Sequence, residues 1–192
     1  MESVMATASS KPTLVVGARG SVGRRVLFEL LDRQSPVRVS ARRPEPGQFP
    51  TGIDVFAADL TDPKSLAPAF DGAGQVFLYA NHEGVHGVIA AARAADVERI
   101  VLMSSGSVIH PSSRGNAITE EHREVEEVFR AASDLTVVPI RPLVLATNAV
   151  RFLDDAAAGD SPATDTVEGI LGRPACGFDV WAADHAADFA VS

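Results

Sequence analysis

The sequence predicts an α/β protein built on a doubly wound parallel sheet, with helices on both faces and strand order 3-2-1-4-5-6. Two observations carry that expectation. Short apolar runs of strand length alternate with helix-length segments through most of the chain. Such alternation requires crossover helices between parallel strands. Glycines also fall at 17, 20 and 23, in the turn from the first strand into the first helix. In a sheet of this order, ligands bind outside the carboxyl ends of the strands.

The elements follow in order. Residues 13–17, TLVVG, are short, apolar and β-branched, as a buried parallel strand should be. A helix follows, with Val22, Val26, Leu27, Leu30 and Leu31 at helical spacing. Strands are expected at 37–40 and 53–60, separated by a Pro-rich turn at 44–50. A short helix over DPKSLAPAFDG stops at Gly72. A strand at 75–80 leads to an Ala-rich helix, and a fifth strand at 99–105 ends in two serines. The next helix, from 119, sets Val125, Val128, Phe129 and Ala132 on one side, and a sixth strand covers 135–142. A helix at 147–158, a Gly/Pro/Asp-rich loop at 159–177 and a seventh strand near 178–182 complete the chain. Residues 1–11 read as a disordered tail. Residues 12–192 read as a single domain, with a substrate-side segment from about 146.

The glycine turn points to a dinucleotide. Backbone N–H groups at a helix N-terminus suit a pyrophosphate, and glycines let the turn tighten around it. About 20 residues on, a site for NAD usually offers a carboxylate to the ribose 2′-hydroxyl. Here the second strand ends in Ser40, Ala41, Arg42 and Arg43. Two guanidinium groups suit a 2′-phosphate. NADP(H) is therefore expected in preference to NAD(H).

Composition narrows the partners. The formal net charge is −8, which sets aside a nucleic-acid partner. No apolar run approaches a membrane span, and residues 1–12 lack the basic and apolar regions of a secretory signal. Cys176 stands alone, so no intramolecular disulfide forms. A cytoplasmic protein acting on a small molecule is expected.

His82 to His86 spell H-E-x-x-H, a zinc string when it lies on a helix. Gly84 inside it and Gly87 after it weaken any helix there, so no metal is expected. There is no G-x-S-x-G elbow for a serine hydrolase.

The motifs VGARGSVGRRV, VRVSARRPE, AADLTDPKSLAPAFDG, AARAADVERIVLMSS and HREVEEVFRAASDLTVVPIRP together resemble the atypical short-chain dehydrogenase/reductases of the NmrA-like group. That group includes NADPH-dependent quinone reductases and redox-sensing regulators. The resemblance implies a Rossmann fold and roles position by position. Gly17, Arg19, Gly20, Ser21, Val22 and Gly23 fall on the pyrophosphate turn. Arg42, with Arg43 beside it, falls where a basic residue meets the 2′-phosphate. Asp59 and Leu60 flank the adenine. Tyr79, Ala80 and Asn81 lie near the path of the ribose and nicotinamide. Ser104 and Ser105 begin the catalytic face, with Ser104 also near the cofactor.

His122 is the implied proton or hydrogen-bond donor to a developing oxyanion. Its plainer reading is a packed histidine paired with Glu126. His82 and Asn148 are the implied substrate contacts. The Tyr-x-x-x-Lys pair of most short-chain dehydrogenases is missing: Tyr79 is the one tyrosine, and the lysines are Lys11 and Lys64. The expected activity is hydride transfer from NADPH to a quinone-like or conjugated carbonyl compound. The alternatives are a non-catalytic NADP(H) sensor, or an isomerase, dehydratase or cyclase on the same scaffold. Short reductases of this type often pair, so a homodimer is an expected assembly.

Overall fold

The computed structural model describes residues 11–110 and 113–142, together with Gly172, Val180 and Ala183. Its strands are β1 (Thr13–Val16), β2 (Val37–Ala41), β3 (Asp54–Ala57), β4 (Gln75–Tyr79), β5 (Arg99–Met103) and β6 (Val137–Ile140). Its helices are α1 (Ser21–Asp32), α2 (Pro63–Phe70), α3 (Val85–Ala94) and α4 (Ala117–Ala131). The six strands form one sheet in the order β3-β2-β1-β4-β5-β6. Every pairing is parallel. This is the expected order.

The order reverses between β1 and β4. The chain leaves β1 toward β2 and β3 on one side, then crosses back to β4 and onward on the other. The crevice at that switch point opens at the carboxyl ends of β1 and β4.

Alternation along the strands divides the sheet's two faces. Leu14 and Val16, Val76 and Leu78, and Ile100 and Leu102 face one way. They form a continuous core with Leu66 and Phe70 of α2, Val85, Val88 and Ile89 of α3, and Val125 and Phe129 of α4. Phe77 faces the other way, where Val26 and Leu30 of α1 share a surface with it. Helices therefore cover both faces.

Local chemistry sets the element ends. Asp62 caps α2, its side chain accepting from Lys64 N–H at 3.1 Å, with Pro63 in the first turn. Asn116 caps α4, accepting from Thr119 N–H at 3.2 Å. That helix therefore starts two residues before the position periodicity suggests. The 3₁₀ turn Gly106–Ile109 follows β5, so Ser104 and Ser105 lie beyond the strand.

Of 178–182, where the sequence predicts a seventh strand, only Val180 is described, and its backbone is helical. The expected helix at 147–158 lies outside the described residues. The chain divides into two compact units, Met1–Arg141 and Pro142–Ser192, and the sheet belongs to the first. The expected substrate-side segment from about 146 falls almost wholly outside the described residues.

Candidate functional site

Four loops at the carboxyl ends of β1, β2, β3 and β4 enclose a cleft of about 940 Å³. Its walls include Gly17, Arg19 and Gly20 after β1, Arg42 after β2, Asp59 and Leu60 after β3, and Tyr79 and Asn81 at the end of β4. Eight of the residues read from the sequence as cofactor contacts thus meet around one space. Ala41, Ala58, Thr61 and Glu83 line it too and were not read from the sequence. Position alone marked them, since each neighbours a residue that was. Arg43 is exposed and does not line the cleft, and neither does Ala80.

The glycine turn is packed on its inner side. Gly17 has φ +73°, a left-handed conformation open to glycine at little cost. A methyl group at Gly23 would lie 2.5 Å from the Gly17 carbonyl oxygen. The third glycine therefore lets α1 close onto the strand end. The Tyr79 ring lies against Gly17, where a Cβ would stand 3.0 Å from its Cε2. A Cβ on Gly20 would stand 3.0 Å from the Tyr79 hydroxyl. The first two glycines thus leave room for a side chain from β4 as well as for a ligand.

Gly20 is the N-cap of α1 and supplies no side-chain cap. The Gly23 N–H donates to the Tyr79 hydroxyl at 2.8 Å. The N–H groups of Ser21 and Val22, in the first turn, have no acceptor among the described residues. A helix start with uncommitted donors and the positive end of its dipole is suited to an anion. Arg19 beside it adds positive charge. These residues fit the pyrophosphate of a dinucleotide.

On the adenosine side, Thr61 holds Asp59 through its N–H at 3.0 Å and its hydroxyl at 2.8 Å. Those bonds, then the charge of Arg42, outweigh desolvation and keep the Asp59 carboxyl below its usual range. Ser65 Oγ accepts from the Asp59 N–H at 2.9 Å, which fixes this corner to α2. Arg42 is exposed at the rim, free to meet a phosphate.

The wall after β4 is tied to the wall after β3. Asn81 Oδ1 accepts from Gly84 N–H at 2.6 Å. Gly84 is buried against the backbone of Leu60, where a Cβ would overlap the carbonyl oxygen. His82 precedes α3 and pairs with Glu124 of α4, Nε2 to Oε2 at 2.9 Å, while His86 lies exposed in the first turn of α3. The two imidazoles do not share a helix, and no cluster suited to a metal ion exists among the described residues.

The expected catalytic face is differently employed. The Ser104 hydroxyl donates to Glu126 Oε1 at 2.6 Å. Glu126 also receives both arms of Arg141, at 2.9 and 2.6 Å. This network joins the ends of β5 and β6 to α4. Ser105 caps the 3₁₀ turn, accepting from Ser107 N–H at 3.2 Å. His122 is half-buried on α4, and its Nδ1 is buried with no partner among the described residues. Its plainer reading as a partner of Glu126 does not hold, because Arg141 and Ser104 occupy that carboxylate. Asn148 lies outside the described residues.

Burial of Glu126 opposes its ionised form, yet the hydrogen bonds from Arg141 and Ser104 prevail and set its pKa below the usual value. A carboxyl lowered in this way stabilises the fold above its unfolded pKa, and the gain fades as pH falls through the folded value. Replacing Glu126 with Gln should cost about 2 kcal/mol at pH 7, since Gln keeps the shape and loses the charge. Urea midpoints measured from pH 7 to pH 3 should show the two proteins converging below about pH 4.3, the ordinary glutamate value. A gap that stays constant with pH contradicts this account.

A parallel sheet with a glycine-turned pyrophosphate cradle at its switch point defines a dinucleotide-binding protein of the Rossmann type. The chain belongs to the NAD(P)H-binding family, whose model matches residues 17–166. With that match, the resemblance to the atypical, NmrA-like short-chain reductases stands. A Streptomyces griseus protein, (4-alkanoyl-5-oxo-2,5-dihydrofuran-3-yl)methyl phosphate reductase, is 36% identical over 143 residues, 72% of this chain and 50% of that protein.

Among solved structures, a short-chain dehydrogenase/reductase superfamily protein from Agrobacterium tumefaciens with bound NAD is 27% identical. It matches with a TM-score of 0.58, over 67% of this chain and 48% of its own. The NADPH-dependent quinone oxidoreductase of Escherichia coli, complexed with NADPH, shares the fold with a TM-score of 0.63 at 24% identity, over 73% and 52% of the two chains. The chain spans about half the length of these relatives. No helix among the described residues is long and apolar enough to cross a membrane.

Proposed function

We propose that the chain is an NADP(H)-dependent reductase acting on a small quinone-like or conjugated carbonyl compound. The observation that carries the reading is the cleft itself. It joins uncommitted N–H donors at the start of α1 to a guanidinium, Arg42, at the end of β2. When bound, the nicotinamide supplies the hydride. The chain's own part is to orient that cofactor: the α1 turn takes the pyrophosphate, Arg42 the 2′-phosphate, and the Asp59–Leu60 corner the adenine. The acceptor class follows from two likenesses. The Streptomyces griseus relative is named for a 5-oxo-2,5-dihydrofuran bearing an alkanoyl group, a ring with a conjugated carbonyl. The Escherichia coli neighbour is a quinone oxidoreductase.

Calorimetric titration should show NADPH binding more tightly than NADH. Replacing Arg42 with Ala should weaken NADPH about tenfold or more, the worth of a charge-assisted contact, and leave NADH nearly unchanged. No NADPH binding at millimolar concentration would refute the reading. Oxidation of NADPH across quinones, enones and unsaturated lactones then tests the acceptor class.

A non-catalytic NADP(H) sensor is the second reading. It is favoured by the commitment of Ser104 and Ser105 to structural bonds, together with the missing Tyr-x-x-x-Lys pair. Tight NADPH binding with no oxidation by any acceptor in that panel supports it.

A further inference from the structure

Strand alternation gives Tyr79 to the α1 face of the sheet, two residues after Phe77. The two rings meet edge to face, with centroids 5.6 Å apart and planes at 79°. Phe77 is itself buried at 3% exposure, so the phenol is held in place. Its far end reaches the start of α1, where the hydroxyl accepts the Gly23 N–H at 2.8 Å. Accepting that bond uses an oxygen lone pair. The hydroxyl proton remains, and among the described residues it has no acceptor. The same oxygen lies beside Gly20 and borders the cleft, next to the first-turn N–H groups of Ser21 and Val22.

From these contacts we infer that Tyr79 binds the cofactor's pyrophosphate directly. Its phenol anchors the glycine turn through Gly23 and donates its own proton to a phosphate oxygen, alongside the Ser21 and Val22 N–H groups. This rests on the NADP(H) reading above and adds a side-chain donor to a turn otherwise made of backbone. The chemistry suits the place. A fixed phenol donating to an oxyanion forms a charge-assisted bond, stronger than a bond between neutral groups. A Gly20 side chain would displace it, which gives that glycine a second reason to be there.

The test compares three probes by calorimetry, on the wild-type chain and on Tyr79→Phe. NADP⁺ and 2′-phosphoadenosine 5′-diphosphoribose carry the pyrophosphate. Adenosine 2′-monophosphate does not. Tyr79→Phe keeps the ring against Gly17 and Phe77 and removes only the hydroxyl. It should weaken the first two probes about ten- to thirtyfold and leave the third unchanged. Equal affinity of both proteins for all three, or an equal loss for all three, overturns the inference.

A second measurement avoids mutation. Tyr79 is the one tyrosine of the chain, so labelling with 3-fluorotyrosine gives a single ¹⁹F resonance. NADP⁺ and the diphosphoribose should shift it, and adenosine 2′-monophosphate should not. A resonance indifferent to NADP⁺ also overturns the inference. Failure of the wild-type chain to bind NADP⁺ at all is a different result: it refutes the NADP(H) reading and takes this inference with it.

Discussion

Replacing Gly84 with Ala should destabilise the fold by about 3 kcal/mol or more, the upper range for forcing a methyl group into packed backbone. On intrinsic grounds the change looks harmless. Gly84 has φ −98° and ψ −8°, a conformation any residue adopts, and Ala favours a helix start's neighbourhood over Gly. The obstacle is space. The new Cβ would overlap the Leu60 carbonyl oxygen, stand 2.6 Å from its carbon and crowd Asn81 Oδ1 at 2.9 Å. Backbone cannot rotate away as a side chain can. The loop after β4 must lift from the loop after β3, and the bond from Gly84 N–H to Asn81 is lost with it.

Gly87 is the internal control. A Cβ there meets the Pro63 ring, with Cγ at 2.9 Å, and a ring edge yields more readily than a carbonyl. Gly87→Ala should therefore cost no more than about 1 kcal/mol. Urea denaturation of the two variants side by side decides the matter. Equal midpoints for Gly84→Ala and wild type would show that the two loops are not locked.

The second large effect is expected at Gly23. Gly23→Ala should lower NADP(H) affinity at least a hundredfold, close to complete loss in a calorimetric titration. Its Cβ would stand 2.5 Å from the Gly17 carbonyl oxygen and 3.0 Å from the carbonyl carbon. To relieve this, α1 must tilt away from β1. The tilt moves the Ser21 and Val22 N–H groups and breaks the Gly23–Tyr79 bond, so every donor at the turn shifts together. A displacement of about 1 Å is enough to spoil several hydrogen bonds at once. Some stability is lost too, so affinity is best measured well below the midpoint of thermal unfolding. Unchanged affinity in a folded Gly23→Ala protein would mean that the turn tolerates a methyl group and that the cofactor does not depend on its geometry.

The sheet was legible because its signal is repeated. Six apolar runs alternate with helical segments, and only one connectivity rule fits them. Most of the cleft was legible because it sits at strand ends, and strand ends can be found from the runs themselves. What escaped is what depends on reach. Tyr79 shares the parity of Phe77, which was readable. That its hydroxyl spans to Gly23 on α1 was not, because spacing along a strand says nothing about how far a ring extends across to another element. Gly84 was read as a residue that weakens a helix, whereas in the structure it is the point where two loops touch. Ser104 sits where a reacting group would be expected, and the partner that claims it, Glu126, is 22 residues away on a different element. The Glu126–Arg141 pair escaped for the same reason. Helical spacing offered His122 as the neighbour of Glu126, and a strand end supplied a stronger one.

All the residues that line the cleft fall between Val16 and Glu83, a single unbroken stretch of chain. Recognition of the nucleotide is thus written in one paragraph of the sequence, ahead of β5, α4 and β6. A crossover downstream of Glu83 could exchange everything that follows and leave the nucleotide's address intact. Such a layout lets lineages trade the compound they reduce without having to rediscover the reductant.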